Sequence, residues 1–199
     1  MKRIIFATTN EGKMKEVKSI LEDLECEVVS LKDINLDVDI VEDGKTFEEN
    51  AIIKAKTIME LTNEMVLADD SGLEVDYLDK APGIYSARFL GEDTSYRIKN
   101  QYIIDKLENA TGNERSARFI CAIAFACPDG QISTTRGTIE GLIGYEEKGE
   151  NGFGYDPIFY VPEFNCTTAE LSTNQKNEIS HRAKALKEMK ESVLTKLAR

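Results

Sequence analysis

Residues 3–31 read Arg3-Ile-Ile-Phe-Ala-Thr-Thr-Asn-Glu-Gly-Lys-Met-Lys-Glu-Val-Lys-Ser-Ile-Leu-Glu-Asp-Leu-Glu-Cys-Glu-Val-Val-Ser-Leu31. Residues 3–8 are a short apolar run, the pattern of a buried strand. From Lys13 to Leu24, Met14, Val17, Leu21 and Leu24 recur at helical spacing, which gives a helix one apolar face. Residues 25–31 return to a strand pattern. The alternation continues outward. Thr46-Phe-Glu-Glu49 fits a capping box and opens a helix with Ala51, Ala55 and Ile58 on one face. Residues 65–68 form a strand running into Asp69-Asp70-Ser71-Gly72. Residues 94–107 read as a helix that stops at Thr111-Gly112. Residues 116–126 and 131–140 flank Pro128-Asp129-Gly130, which predicts a long antiparallel hairpin. Residues 180–197 form a last amphipathic helix with Ala183, Leu186, Met189, Val193 and Leu197 toward the core. Helices alternating with strands, plus one hairpin, imply a mixed sheet in an α/β architecture.

At 199 residues the chain can support a full core without a metal or disulfide staple. No repeat, low-complexity tract or Pro/Gly/Ser-rich linker interrupts it, so residues 1–199 are expected to form a single domain. Lys and Arg number 25 against 36 Asp and Glu, a net charge of −11. That balance argues against general nucleic-acid binding but leaves room for a local polyanion site. The longest apolar run, residues 119–127, is far short of the roughly 20 residues that span a bilayer. The start of the chain turns polar at Thr8, so no signal peptide and no membrane partner are expected. Four cysteines (Cys26, Cys121, Cys127 and Cys166) form no C-x-x-C pair and read as reduced thiols of a cytoplasmic protein.

Five segments place polar residues where a core would not. Thr8-Thr9-Asn10-Glu11-Gly12-Lys13 joins a strand to a helix. It can be an anion site at a helix N-terminus or a capped helix start with a solvated lysine; it lacks the Walker A pattern. Glu42-Asp43-Gly44, with Asn50 and Lys54 one helical turn apart, can complement a helix dipole or hold a hard cation. Asp69-Asp70-Ser71-Gly72 can form a tight turn. If the backbone stays extended, the two carboxylates face opposite ways and only one can address a given metal. Gly152-Phe-Gly-Tyr-Asp-Pro157 offers either a packed aromatic turn or an aromatic face beside a carboxylate. Lys176 precedes Ser180-His181-Arg182, where cationic side chains in a first helical turn oppose the dipole and call for a compensating group.

In this order the segments resemble the inosine triphosphate pyrophosphatase family, the Ham-type nucleotide pyrophosphatases. The matches are Thr8-x-Asn10-x-x-Lys13, Glu42-Asp-Gly-Lys-Thr-Phe-Glu-Glu-Asn-Ala51, Ala68-Asp-Asp-Ser-Gly-Leu73, Ala81-Pro-Gly-Ile-Tyr-Ser-Ala-Arg88, Gly152-Phe-Gly-Tyr-Asp-Pro157 and Ser180-His-Arg182. The resemblance implies a long central mixed sheet flanked by helices, two lobes with an active-site cleft between them, and a homodimer. It also implies Mg²⁺-dependent hydrolysis of ITP, dITP and XTP to the monophosphate and pyrophosphate, as an XTP/dITP diphosphatase.

Carried over by position, Thr8, Thr9, Asn10, Glu11, Gly12 and Lys13, with Lys54, hold the phosphates. Glu42 and Asp70 bind the metal, and Asp70 is the general base with Asp69 in support. Ser71, Phe153, Gly154, Tyr155, Asp156, Lys176, His181 and Arg182 contact the substrate. Phe153 stacks on the base, Asp156 and Lys176 meet its edge, and His181 and Arg182 read the six-oxo group. Thr9 stands where many relatives carry glycine, and Tyr77 where alanine is frequent; Tyr77 is a candidate for the dimer interface. A Maf-type pyrophosphatase for modified pyrimidine nucleotides is the nearest rival, opposed by Phe153-Gly-Tyr-Asp156 and Ser180-His-Arg182. A silent nucleotide sensor on the same fold is opposed by intact Glu42, Asp70 and Lys13.

Overall fold

The computed structural model describes residues 2–198. Seven strands, β1 (Lys2–Phe6), β2 (Cys26–Ser30), β3 (Met65–Val75), β4 (Ser116–Ala126), β5 (Ile132–Ile143), β6 (Phe159–Val161) and β7 (Cys166–Thr167), form one mixed sheet in the order β2-β1-β3-β4-β5-β6-β7. The chain divides into two compact units. One comprises the chain up to Asp70, Cys121–Gly137 and the chain from His181; the other comprises Ser71–Ile120 and Thr138–Ser180.

The first unit begins with β1 (Lys2–Phe6), α1 (Glu11–Ile20) and β2 (Cys26–Ser30). β1 pairs in parallel with β2, Ile4 opposite Val28, and with β3 (Met65–Val75), Ile4 opposite Met65 and Phe6 opposite Leu67. Parallel neighbours need a crossover, and α1 and α2 (Phe47–Thr62) supply it. The final helix, α5 (His181–Leu197), packs against α1. Ile4, Phe6, Val17, Leu21, Leu67, Ile123, Phe125, Leu186 and Met189 share one core.

α1 starts at Glu11, two residues before the apolar periodicity begins, because the Asn10 side chain accepts the Lys13 N–H at 3.0 Å and caps it. Only half of the expected capping box closes at α2. Thr46 Oγ1 accepts the Glu49 N–H at 3.1 Å, whereas the Glu49 carboxylate accepts the N–H of Lys45.

The second unit holds α3 (Tyr96–Lys106), β6 (Phe159–Val161), β7 (Cys166–Thr167) and α4 (Thr173–Ile179). β5 (Ile132–Ile143) pairs antiparallel with β6, and β6 with β7. Its core joins Leu73, Val75, Ile103, Leu107, Phe119, Ile143, Ile158 and Phe159. Buried Arg115 donates to the carbonyls of Leu107 and Ala110 just past α3 and of Ile143 and Gly144 at the end of β5. A cation is well placed there, at the negative end of a helix.

Of the two readings open at Asp69 and Asp70, the extended one holds: β3 continues through Asp70, Ser71 and Gly72 to Val75. One local expectation is corrected. Residues 176–182 are not the start of one helix. α4 ends at Ile179, Ser180 is extended at φ −63°, ψ 153°, and α5 begins at His181. The strand β4 (Ser116–Ala126) and β5 are neighbours in the sheet across a turn in which Gly130, at φ +85°, donates to Cys127 O. Among the described residues, no helix is long and apolar enough to cross a membrane.

Candidate active site

In the first unit the site is organised by β3. Extended backbone sends successive side chains to opposite faces, and Asp69 and Asp70 acquire separate partners. Buried Asp69 faces two cations. Lys13 Nζ lies 3.0 Å from Oδ2. Arg182 Nε and Nη2 lie 3.3 and 3.1 Å from the same oxygen. Arg182 also donates through Nη1 to Glu16 of α1. Burial alone would raise the Asp69 pKa, but Lys13, Arg182 and Lys54 hold its carboxyl far below the usual carboxylate range. The same field works in reverse on Arg182. Burial opposes its charge, and Asp69 and Glu16 raise its pKa above the ordinary guanidinium value. These two carboxylates are the compensation that a cation in the first turn of α5 requires.

Asp70 is also buried. Its Oδ2 accepts from Asn50 Nδ2 at 3.1 Å, and its Oδ1 lies 3.8 Å from Lys54 Nζ. Lys54 Nζ also contacts Glu42 Oε2 at 3.0 Å. Burial raises the Asp70 pKa from its ordinary value, against the opposing pull of Lys54 and Asn50. Burial also opposes the Lys54 charge, but Asp69, Asp70 and Glu42 outweigh it and raise its pKa. Asn50 and Lys54 stand one turn apart on α2, so a single helix face serves both ends of this group. Glu42 and Asp70 offer two hard oxygen donors on either side of one ammonium. A small divalent cation is suited by such a pair when phosphate oxygens and water complete its shell. Among the described residues, no group of three or more His, Cys, Asp or Glu side chains forms an all-protein metal cage.

The loop before α1 is built to expose its donors. Buried Thr8 accepts the Asn10 N–H on its Oγ1 at 3.1 Å, and Asn10 caps the helix. Thr9, Asn10 and Glu11 are exposed and Gly12 is half-buried. Glu11 pairs with Lys32 at 3.0 Å, so its side chain is directed to another partner. The N–H groups and partial positive charge of the first turn suit a phosphate. His181 is buried at the start of α5. A Cβ on Gly137 would meet His181 O at 2.0 Å, so glycine permits this close approach of strand and helix.

The second unit contributes a separate cluster. Asp156 Oδ2 accepts from Lys176 Nζ at 2.7 Å and from the Phe153 N–H at 2.8 Å, while Oδ1 accepts from Thr168 Oγ1 at 2.8 Å. Lys176 Nζ also lies 4.8 Å from the Phe153 ring centroid. Gly152 has φ +75°, and a Cβ there would lie 2.2 Å from Asp156 Oδ2, so the carboxylate and the turn require each other. Gly154 follows at φ +67°, and its carbonyl accepts from Asn100 Nδ2 at 3.3 Å. Tyr155 is buried and donates its hydroxyl to Ser86 O at 2.7 Å, which gives it an internal partner. Phe153 remains half-buried, as does Ser71, which follows Asp70 in β3.

Sequence reasoning named Asn50 only as part of the 42–54 segment, without a role of its own, and missed Glu16, Gly137 and Thr168. Glu16 lies among buried Met14, Val17 and Ile20 on α1. Asn50 interrupts the buried series Phe47, Ala51, Ala55 and Ile58 on α2. A polar residue within an apolar stripe was the available signal in both cases. Gly137 and Thr168 carried none, because their partners are distant in sequence.

The model of the Ham1 family matches residues 4–192. A dITP/XTP pyrophosphatase of Bacillus licheniformis is 50% identical over 189 residues, covering 95% of this chain and 96% of that protein. A dITP/XTP pyrophosphatase of Exiguobacterium sibiricum is 49% identical, covering 97% and 98%. The Staphylococcus aureus Ham1 protein superposes with a TM-score of 0.87 at 42% identity, over 98% of this chain and 100% of that one. By sequence over nearly its full length and by fold, this chain belongs to the Ham1 family.

Proposed function

We propose that this chain hydrolyses the non-standard purine nucleoside triphosphates dITP, XTP and ITP to the monophosphate and pyrophosphate, clearing them from the nucleotide pool. The carrying observation is the Asp70 carboxylate, one oxygen bonded to Asn50 and the other facing the Lys54–Glu42 pair. The names of the relatives above support the same reading.

The first turn of α1, with Thr8, Asn10 and Lys13, takes phosphate oxygens. Lys54 adds a second cation. Asp70 accepts a proton from the water that attacks the α-phosphorus in line, and pyrophosphate departs. Glu42 and Asp70 would hold Mg²⁺, which would supply neutralisation of developing charge. Asp69 holds the Lys13 and Arg182 side chains in place. Phe153 stacks on the base, Lys176 and Asp156 meet its edge, and His181 and Arg182 favour the six-oxo group over an amino group. We place the active form as a cytoplasmic homodimer. Four cysteines without disulfides, and exposed Tyr77, Tyr85, Leu90 and Ile98 in the second unit, support that assignment.

The test is release of pyrophosphate with Mg²⁺ across ITP, XTP, dITP, GTP, ATP and a modified pyrimidine triphosphate. Turnover of the first three with monophosphate as co-product is expected. Preference for the pyrimidine substrate would favour a Maf-type enzyme, and binding without turnover a silent sensor.

A further inference from the structure

We infer that Asn50 is the positioning residue of this active site: one buried amide orients Asp70 and ties it to the loop that carries Glu42. The inference rests on the pyrophosphatase reading and deepens it.

Asn50 is fully buried, and its two polar atoms divide their work. Nδ2 donates to Asp70 Oδ2 at 3.1 Å, and Oδ1 accepts the Gly44 N–H at 2.9 Å. The amide therefore bridges β3 and the 42–44 segment from the first turn of α2. A carboxylate can rotate about its Cβ–Cγ bond. Holding Oδ2 fixes that rotation and directs Oδ1 toward Lys54. Gly44 brings the loop close enough. A Cβ there would lie 2.6 Å from Asn50 Oδ1 and 2.9 Å from Asn50 N. A side chain with neither donor nor acceptor would leave the Gly44 N–H and one Asp70 oxygen without these bonds. Asn supplies a donor and an acceptor at one site without adding charge beside the carboxylate.

Asn50 touches no reacting atom in this scheme, so its effect passes through Asp70. Residues that orient a ligating or catalytic group typically alter metal affinity or activity by about 10–100-fold. Asn50→Leu is expected to lower kcat for ITP within that range while KM stays within about threefold. Mn²⁺ affinity, titrated with a non-hydrolysable ITP analogue bound, is expected to fall by about tenfold or more. In an Asp70→Asn background the same substitution is expected to cost little further, because the group it orients is already disabled. Gly44→Ala, which presses on Asn50 without touching Asp70, is expected to reproduce the kcat loss. Should Asn50→Leu fail to fold, Asn50→Ser keeps a hydroxyl near Gly44 and removes the amide donor to Asp70, and is expected to show the same split. Unchanged kcat and Mn²⁺ affinity in a folded Asn50 variant overturns the inference, as does a full additive loss in the Asp70→Asn background. Inactivity of the unaltered protein on every triphosphate instead overturns the pyrophosphatase reading.

Discussion

Asp69 and Arg182 stand 113 residues apart in sequence, yet Arg182 places Nε and Nη2 on the same Asp69 oxygen. Lys13 shares that carboxylate. Removing its charge leaves buried Arg182 and half-buried Lys13 with reduced compensation. Breaking a buried pair in this way typically costs about 3–5 kcal/mol. Asp69→Asn is expected to lower Tm by roughly 10 °C. A thermal scan of the purified variant measures it, and an unchanged Tm would show that the network is not structural.

Asp70→Asn preserves shape and removes the proposed proton acceptor. Turnover of ITP is expected to fall at least ~10²-fold. Binding of a non-hydrolysable ITP analogue, read by calorimetry, tests whether the loss lies in chemistry. Near-normal kcat would remove Asp70 from the role.

Phe153 is the half-buried aromatic face of the second-unit cluster. Stacking of a base on an aromatic ring is worth about 1–3 kcal/mol. Phe153→Ala is therefore expected to raise KM for ITP by about tenfold or more, with kcat less affected. Arg182→Ala is expected to raise KM also and to destabilise the fold, since Asp69 and Glu16 lose a shared partner. Phe47 is 3% exposed and belongs to the core, so Phe47→Ala is expected to lower Tm and serves as the fold control against which the KM effects are read. A Phe153→Ala variant with unaltered KM would place the base elsewhere.

Asp76 carries the clearest acid-stability signature. Arg118 holds both its oxygens, at 2.9 and 3.1 Å, and with Lys80 draws its pKa down to about 2. A folded pKa below the unfolded one means stabilisation that is complete above the unfolded carboxylate value and disappears as pH falls through the folded value. The Tm difference between the parent chain and Asp76→Asn is expected to be present at neutral pH and to close between about pH 4 and pH 2. A difference independent of pH over that window would assign the effect to packing.

Much of this was legible in the sequence, for identifiable reasons. The β1-α1-β2 start and the α5 stripe of Ala183, Leu186, Met189 and Val193 follow from local periodicity. The course of β3 did not. Asp, Ser and Gly favour turns locally, whereas the partners that keep Asp69 and Asp70 in an extended strand lie on α1, α2 and α5. The break at Ser180 was hidden because residues 173–182, Ile179 apart, stay polar and helix-compatible across it. β6 and β7, with three and two residues, are too short to show a period. Asn50 and Glu16 were visible as polar intrusions into apolar stripes, but their meaning depended on contacts no local window contains.

The alternation of β3 also constrains how the chain can change over descent. Met65 and Leu67 are locked opposite Ile4 and Phe6 of β1. Deleting one residue between Leu67 and Asp69 would move each following side chain to the opposite face. Asp70 would then take the position that faces Lys13 and Arg182, and Ser71 the position that faces Asn50 and Lys54. Composition would barely change, yet the position beside Asn50 and Lys54 would carry a hydroxyl in place of a carboxylate. Segment length is thus as heritable a property here as residue identity, and gaps should be purged from this strand more strictly than substitutions at its apolar positions.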